Sequence, residues 1–235
     1  GMWAKMKIEI LYPEFCNLYG DMFNMKYLQK CLPNAEFIET AIDDKPTFAE
    51  EDVNLIYLGP MTEKTQEKVI ARLKTYKDRI EELIEKNVVF LFTGNAIEVL
   101  GKYIENEDGT KIEAVGIFDV YAKRDMMNRH NSYFVGNFED IELVGFKSQF
   151  TMMYGDNTNC YFSKVEKGIG INKESNLEGI RKNNFIGTYL IGPILILNPL
   201  FTKKIIAMMG AEPQIALEED VMAAYEARIR ELRRL

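Results

Sequence analysis

The first hundred residues constrain this chain most, because short apolar runs alternate there with segments of helical period. Ile8-Glu9-Ile10-Leu11-Tyr12 reads as a strand stopped by Pro13. Residues 21–32 have helical spacing, with Met22, Met25, Leu28 and Cys31 or Leu32 on one face. Residues 36–40 and 53–60 predict two further strands, the second running into a turn at Gly59-Pro60. Thr62 caps a helix reaching to about residue 86, whose buried side carries Val69, Leu73, Ile80, Leu83 and Ile84. A fourth strand at 88–92 then passes through Thr93-Gly94-Asn95 into the start of a helix that ends at Leu100-Gly101. Such alternation predicts an α/β fold with a mostly parallel, doubly wound sheet and helices on both faces.

After Gly101 the pattern changes. Short strands around 116–120, 133–137 and 143–146 predict an antiparallel flap or mixed-sheet region. Residues 218–235 form a closing amphipathic helix, with Arg228, Arg230, Arg233 and Arg234 as a solvated basic end that suits the helix dipole. At 235 residues the chain is long enough for one domain. We place it at 7–235, with residues 1–6 as an N-terminal extension whose Gly1 resembles a tag remnant.

The formal net charge is -7 with the acidic residues dispersed, which argues against nucleic acid as a partner. No apolar run approaches the roughly 20 residues that span a bilayer, and the N-terminus is too short and polar for a signal peptide. Three cysteines, an odd number in no metal-ligand spacing, fit a reducing compartment. The expectation is a soluble, cytoplasmic protein without metal or cofactor and of undetermined oligomeric state.

Several motifs, in order, carry a resemblance. Leu11-Tyr12-Pro13-Glu14-Phe15-Cys16-Asn17-Leu18-Tyr19-Gly20-Asp21 resembles an L-Y-P-D-x-x-N-x-Y-G-D opening. Residues 54–60 occupy the place of a strand ending in a G-G-G-Q-D turn. Gly94 to Gly101 follows the frame of C-G-G-Y-Q-L-L-G, and Leu143-Val144-Gly145-Phe146 matches an L-V-G-F that elsewhere continues into E-N-H-x-G. Gly168 to Lys173 and Leu177 to Ile180 are similar to G-x-G-N-N and x-E-G-V, and Gly187-Thr188-Tyr189-Leu190-Ile191-Gly192-Pro193 to G-T-Y-L-H-G-P. Asn198-Pro199 completes the match, which spans roughly residues 7–210. Together these resemble the GatD-like glutaminase subunits of lipid II isoglutaminyl synthases, in the cobyric acid synthase (CobB/CobQ-like) branch of class I glutamine amidotransferases. The resemblance implies a flavodoxin-like sheet and a role in peptidoglycan or cobyric acid-type biosynthesis. It also implies a Mur-ligase-like, ATP-dependent partner that holds the ATP and metal sites.

The departures fall on the chemistry. Such an enzyme attacks the glutamine amide with a thiolate, moves the proton through an imidazole, and holds the oxyanion with backbone N–H groups. Here Gly94 stands at the Cys position and Ile191 at the His position. Pro60, which has no N–H, replaces part of the G-G-Q-D turn. Glu98 stands where the family has Gln, and its charge suits a helix start. The resemblance thus places the former pocket at Tyr19, Asp21, Gly59, Pro60, Gly94, Asn95, Glu98 and Ile191.

Other residues offer weaker chemistry. Thr93 is the nearest hydroxyl, but it precedes the elbow and reads as a strand-end residue. His130, the only histidine, lies outside every motif and reads as a surface-loop residue; a relocated Cys16–His130 pair is the alternative. Cys31 on a helix and Cys160 in a polar loop read as structural. Asp156-Asn157-Thr158-Asn159, with Glu107 and Asp108, has turn composition rather than EF-hand spacing. Met126-Met127 and Met152-Met153 read by default as core filling, with a partner-facing surface as the alternative. Three functions follow in order: a non-catalytic structural or regulatory subunit, a small-molecule sensor using the former glutamine pocket, and a glutaminase or hydrolase with a relocated nucleophile at Cys16 or Thr93.

Overall fold

A computed structural model describes residues 5–235; Gly1, with its tag reading, lies outside the described residues. The first strands are β1 (Lys7–Leu11), β2 (Glu36–Thr40), β3 (Leu55–Leu58) and β4 (Val89–Thr93). The first helices are α1 (Phe23–Cys31), α2 (Glu63–Lys74) and α3 (Lys77–Glu85). With β13 (Ile180–Lys182) and β14 (Phe185–Thr188), these strands build a six-stranded sheet in the order β13-β14-β4-β3-β1-β2. Every pairing is parallel except that of the edge strand β13. β3 and β4 are buried along their whole length, as a parallel sheet covered on both faces requires.

Apolar helix faces cover the two sides. Val69, Ile70, Leu73, Ile80, Leu83 and Ile84 of α2 and α3 pack with Phe90 and Phe92 on one face. Met25 and Leu28 of α1 pack with Ile8, Leu91 and α5 (Pro199–Met208) on the other. Between β14 and α5 lies the single turn α4 (Ile194–Leu197).

The helix expected at 62–86 is two helices. Thr62 does cap the first, its hydroxyl accepting from Thr65 N at 3.2 Å. The chain breaks at Thr75-Tyr76, where Tyr76 packs edge-on against Phe48 with ring centroids 5.8 Å apart. The opening helix begins at Phe23 rather than Asp21, because Leu18–Gly20 forms a 3-10 turn with Tyr19 at φ +60°.

Two four-stranded sheets follow the elbow. One is β10-β7-β5-β6, from β5 (Tyr103–Glu105), β6 (Lys111–Glu113), β7 (Tyr121–Arg124) and β10 (Thr151–Tyr154). The other is β12-β11-β8-β9, from β8 (His130–Phe138), β9 (Ile141–Gln149), β11 (Ser163–Lys167) and β12 (Leu177–Glu178). The expected strand at 116–120 is absent. Gly116 takes φ +82°, and the N–H groups of residues 115–118 bond to the carbonyls of Val99, Leu100 and Gly101 instead of a ladder.

Helix α6 (Glu218–Arg234) lays Tyr225, Ile229 and Leu232 on Val135 and Val144 of the second flap sheet. Its basic end is not wholly solvated. Arg233 pairs with Glu142 at 2.7 Å and Glu166 at 2.9 Å, although exposed pairs of this kind contribute little.

Candidate functional site

The strand order puts the carboxyl ends of β1, β3, β4 and β14 side by side, and ligand sites of open α/β sheets form at such edges. β4 ends at Thr93, and the chain turns through Gly94 into a 3-10 turn over Gly94–Leu100. Gly94 has φ +60°, a conformation L side chains rarely adopt. A Cβ on Gly94 would lie 2.6 Å from Pro60 Cβ and 3.2 Å from its Cγ. The sharp elbow is therefore present, and the ring of Pro60 occupies the space beside it. Asn95 fixes the two loops together: its Oδ1 accepts from Met61 N at 3.0 Å, and its Nδ2 donates to Met61 O at 2.8 Å.

Over this corner lies a cavity of about 200 Å³, enclosed by the 3-10 turn, the loop after β3, Tyr19 and the flap residues Ser148 to Thr151. Of the expected pocket residues, Tyr19, Gly94, Asn95 and Glu98 line it, while Asp21, Gly59, Pro60 and Ile191 do not. Pro60 lies against Gly94. Gly59 is confined by the Cys16 carbonyl, 2.8 Å from where its Cβ would be. Ile191 is 3% exposed and forms an isolated antiparallel bridge with Phe146, through Ile191 N to Phe146 O at 2.9 Å and Phe146 N to Ile191 O at 3.3 Å. Asp21 is fully buried: its Oδ1 accepts from Gly192 N at 3.1 Å, and its Oδ2 has no partner. Burial pushes this carboxyl up to about 7, with the Gly192 N–H opposing.

The walls also contain residues the motifs did not single out. Tyr189, two positions before Ile191 in the same motif, donates its hydroxyl to Glu98 Oε2 at 2.5 Å. Gln66 donates to Glu98 Oε1 at 2.8 Å, and Arg124 donates to Gln66 Oε1 at 3.0 Å. Glu98 is 2% exposed; burial pushes its carboxyl up to about 7 against these hydrogen bonds and the Arg124 charge. Gln149, at the end of β9, donates to Thr151 O at 2.7 Å, while its buried Oε1 has no partner. Only the L-V-G-F motif upstream of Gln149 hinted at this wall, by pointing to where the family continues with polar residues.

A buried ion pair supports Tyr189. Lys147 Nζ lies 3.4 Å from Glu178 Oε1 and donates to Gly170 O at 2.6 Å, with both side chains fully buried. Glu178 in turn accepts from Thr188 Oγ1 at 2.8 Å and Tyr189 N at 2.9 Å. Burial lowers the Lys147 pKa, and the Glu178 charge opposes that.

The relocated nucleophiles fare poorly in place. Cys16 is fully buried, 3.8 Å from Met61 Sδ, and burial pushes its thiol up to about 12. His130 is not in a loop but on β8, facing Gln149 across the ladder, with Nε2 2.9 Å from Ser132 Oγ. No hydrogen bond joins Cys16 and His130, and neither lines the cavity. Thr93 is fully buried, its hydroxyl 3.2 Å from Tyr57 OH. Asp156 caps the turn at Thr158 N at 2.9 Å, as its composition implied. Met153 is buried, whereas Met127 is 83% exposed and so departs from core filling. Among the described residues, no group of three or more His, Cys, Asp or Glu is placed to hold a metal ion. Nor is any helix among them long and apolar enough to cross a membrane.

Comparison with known proteins agrees with this geometry. The profile of the CobB/CobQ-like glutamine amidotransferase domain matches residues 7–198. The chain is 25% identical over 233 residues to the lipid II isoglutaminyl synthase (glutamine-hydrolyzing) subunit GatD of Streptococcus pneumoniae, covering 93% of this chain and 88% of that protein. It is 27% identical over 181 residues to the same subunit from Staphylococcus aureus, covering 76% and 74%. Among solved structures, a glutamine amidotransferase superposes with TM-score 0.57 at 12% identity, covering 87% of this chain and 99% of the other. Another, from Thermotoga maritima, gives 0.53 at 13% identity, covering 98% and 93%. These superpositions establish a class I glutamine amidotransferase-like fold.

Proposed function

The chain belongs to the CobB/CobQ-like glutamine amidotransferase domain family, and we propose that it is a non-catalytic, GatD-like subunit of a complex that amidates a cell-wall precursor. The observation that carries the non-catalytic part is the contact between Gly94 and Pro60. Hydrolysis of a glutamine amide needs a nucleophile at the elbow. Here the elbow residue has no side chain, and the position its Cβ would take is 2.6 Å from Pro60 Cβ.

The proton carrier is missing in the same way. Ile191 fills its place with an aliphatic side chain whose backbone is bonded to Phe146. The two relatives named as lipid II isoglutaminyl synthase subunits favour cell-wall over cobyric acid-type chemistry. In this reading a Mur-ligase-like partner activates the acceptor with ATP, and this chain contributes docking surface and a ligand cavity in the cytoplasm.

Glutamate release from glutamine tests the reading, measured for the purified chain alone and with its cognate ligase. No release above a boiled control is expected in either case. Release that follows the chain through purification overturns the proposal, and its loss in Cys16→Ala or Thr93→Ala would move the chemistry to that residue.

A further inference from the structure

The cavity is chemically one-sided. Glu63 and Glu98 line it, and among the described residues no Lys, Arg or His does. Most of its donors are already engaged. The Asn95 amide is bonded on both sides to Met61, Gln149 Nε2 donates to Thr151 O, and the Tyr189 hydroxyl proton goes to Glu98. The Thr62 hydroxyl donates to Thr65 Oγ1 at 3.1 Å. The hydroxyls of Tyr19, Ser148 and Thr151 can donate or accept, whereas Gln149 Oε1 can only accept. That atom is buried without a partner on a residue only 8% exposed, a condition that costs free energy until a donor arrives.

An ammonium group answers these features together. It brings three N–H donors and a positive charge that two carboxylates favour. A carboxylate would meet Glu63 and Glu98, while Arg124, whose charge acts on Glu98, is bonded to Gln66 and does not line the cavity. We propose that this cavity binds the ammonium end of a small primary amine lacking a carboxylate, with Gln149 Oε1 and Glu98 as its acceptors. The inference rests on the non-hydrolytic reading, since it treats the corner beside Gly94 as a place that holds a ligand and leaves it unchanged.

Ligand-observed saturation-transfer NMR on the full chain tests it with benzylamine, benzyl alcohol and benzoate at equal concentrations and pH 7.5. For ligands of this size a Kd on the order of 1 mM is expected. Benzylamine should bind at least about tenfold more tightly than benzyl alcohol, as a charge-assisted hydrogen bond implies, and benzoate should give no signal. Gln149→Leu should weaken benzylamine about tenfold. The isosteric Glu98→Gln should bring amine and alcohol to within about threefold of each other, and it serves if Gln149→Leu fails to fold.

Benzoate binding as well as benzylamine, no benzylamine signal with the unmodified chain, or an unchanged amine preference in Glu98→Gln would each overturn the proposal. Glutamate release from added glutamine, followed in the same samples, reports separately on the non-hydrolytic reading.

Discussion

Gly94→Ala isolates the packing of the elbow. The new Cβ would sit in a left-handed conformation, which costs an L residue about 1–2 kcal/mol. It would also lie 2.6 Å from Pro60 Cβ, far inside ordinary contact, and such overpacking typically costs about 1–3 kcal/mol. Together these predict a destabilisation of about 2–5 kcal/mol, or a Tm lower by roughly 10 °C in a chain of this size. Gly94→Cys should carry the same penalty and release no glutamate.

The partner residue separates the two contributions. Pro60→Ala keeps the offending Cβ and should give no relief, whereas Pro60→Gly removes it and should recover about 1–3 kcal/mol in the double variant. Urea unfolding with a full double-mutant cycle measures this. A Gly94→Ala cost below about 1 kcal/mol, or equal rescue by Pro60→Ala and Pro60→Gly, would refute the steric argument.

Three further outcomes are expected. Glu98 is faced by Tyr189, Gln66, Arg124 and Glu63, and its carboxyl is raised to about 7 against an unfolded value of about 4.3. Its protonation therefore stabilises the fold fully below about pH 4.3, and that contribution is lost as pH rises through 7. Glu98→Gln should accordingly destabilise less at pH 8 than at pH 5, by up to about 3 kcal/mol; equal costs at both pH values would sink the assignment. Lys147→Met should cost about 3–5 kcal/mol in chemical denaturation, because it leaves Glu178 buried and unpaired, and adding Glu178→Gln should recover much of it. Cys16, buried and held as a thiol, should resist iodoacetamide in the folded chain at pH 8; alkylation at the rate of a free cysteine would contradict its placement.

The parallel sheet was readable because its central strands are short, largely apolar and followed by helices with a clear stripe, as in residues 55–58 and 89–93 against α2. Local pattern could not show the break at Thr75-Tyr76, where Tyr76 packs against Phe48, remote in sequence. Nor could it show that residues 115–118 bond to the exit of the elbow rather than to a strand. At the site, Gly94, Asn95 and Glu98 were legible from the motif frame, as were the separate departures at Pro60 and Ile191. That Pro60 touches Gly94 was not, since it depends on how two loops from neighbouring strands meet. The flap wall with Gln149 was hidden for a similar reason. Its position depends on the antiparallel β8–β9 ladder folding over the sheet edge, a long-range arrangement with no local signature.

The bridge between Phe146 and Ile191 joins parts of the chain that otherwise belong to different layers. Phe146 lies three residues before Gln149 on the same strand, and Gly192, next to Ile191, donates to Asp21 at the foot of the turn that bears the half-exposed ring of Tyr19. The cavity roof and that aromatic exterior thus hang from one common beam. A load applied at either end is borne by the same few backbone bonds, so a shift of the roof must bend the beam or carry the exterior with it.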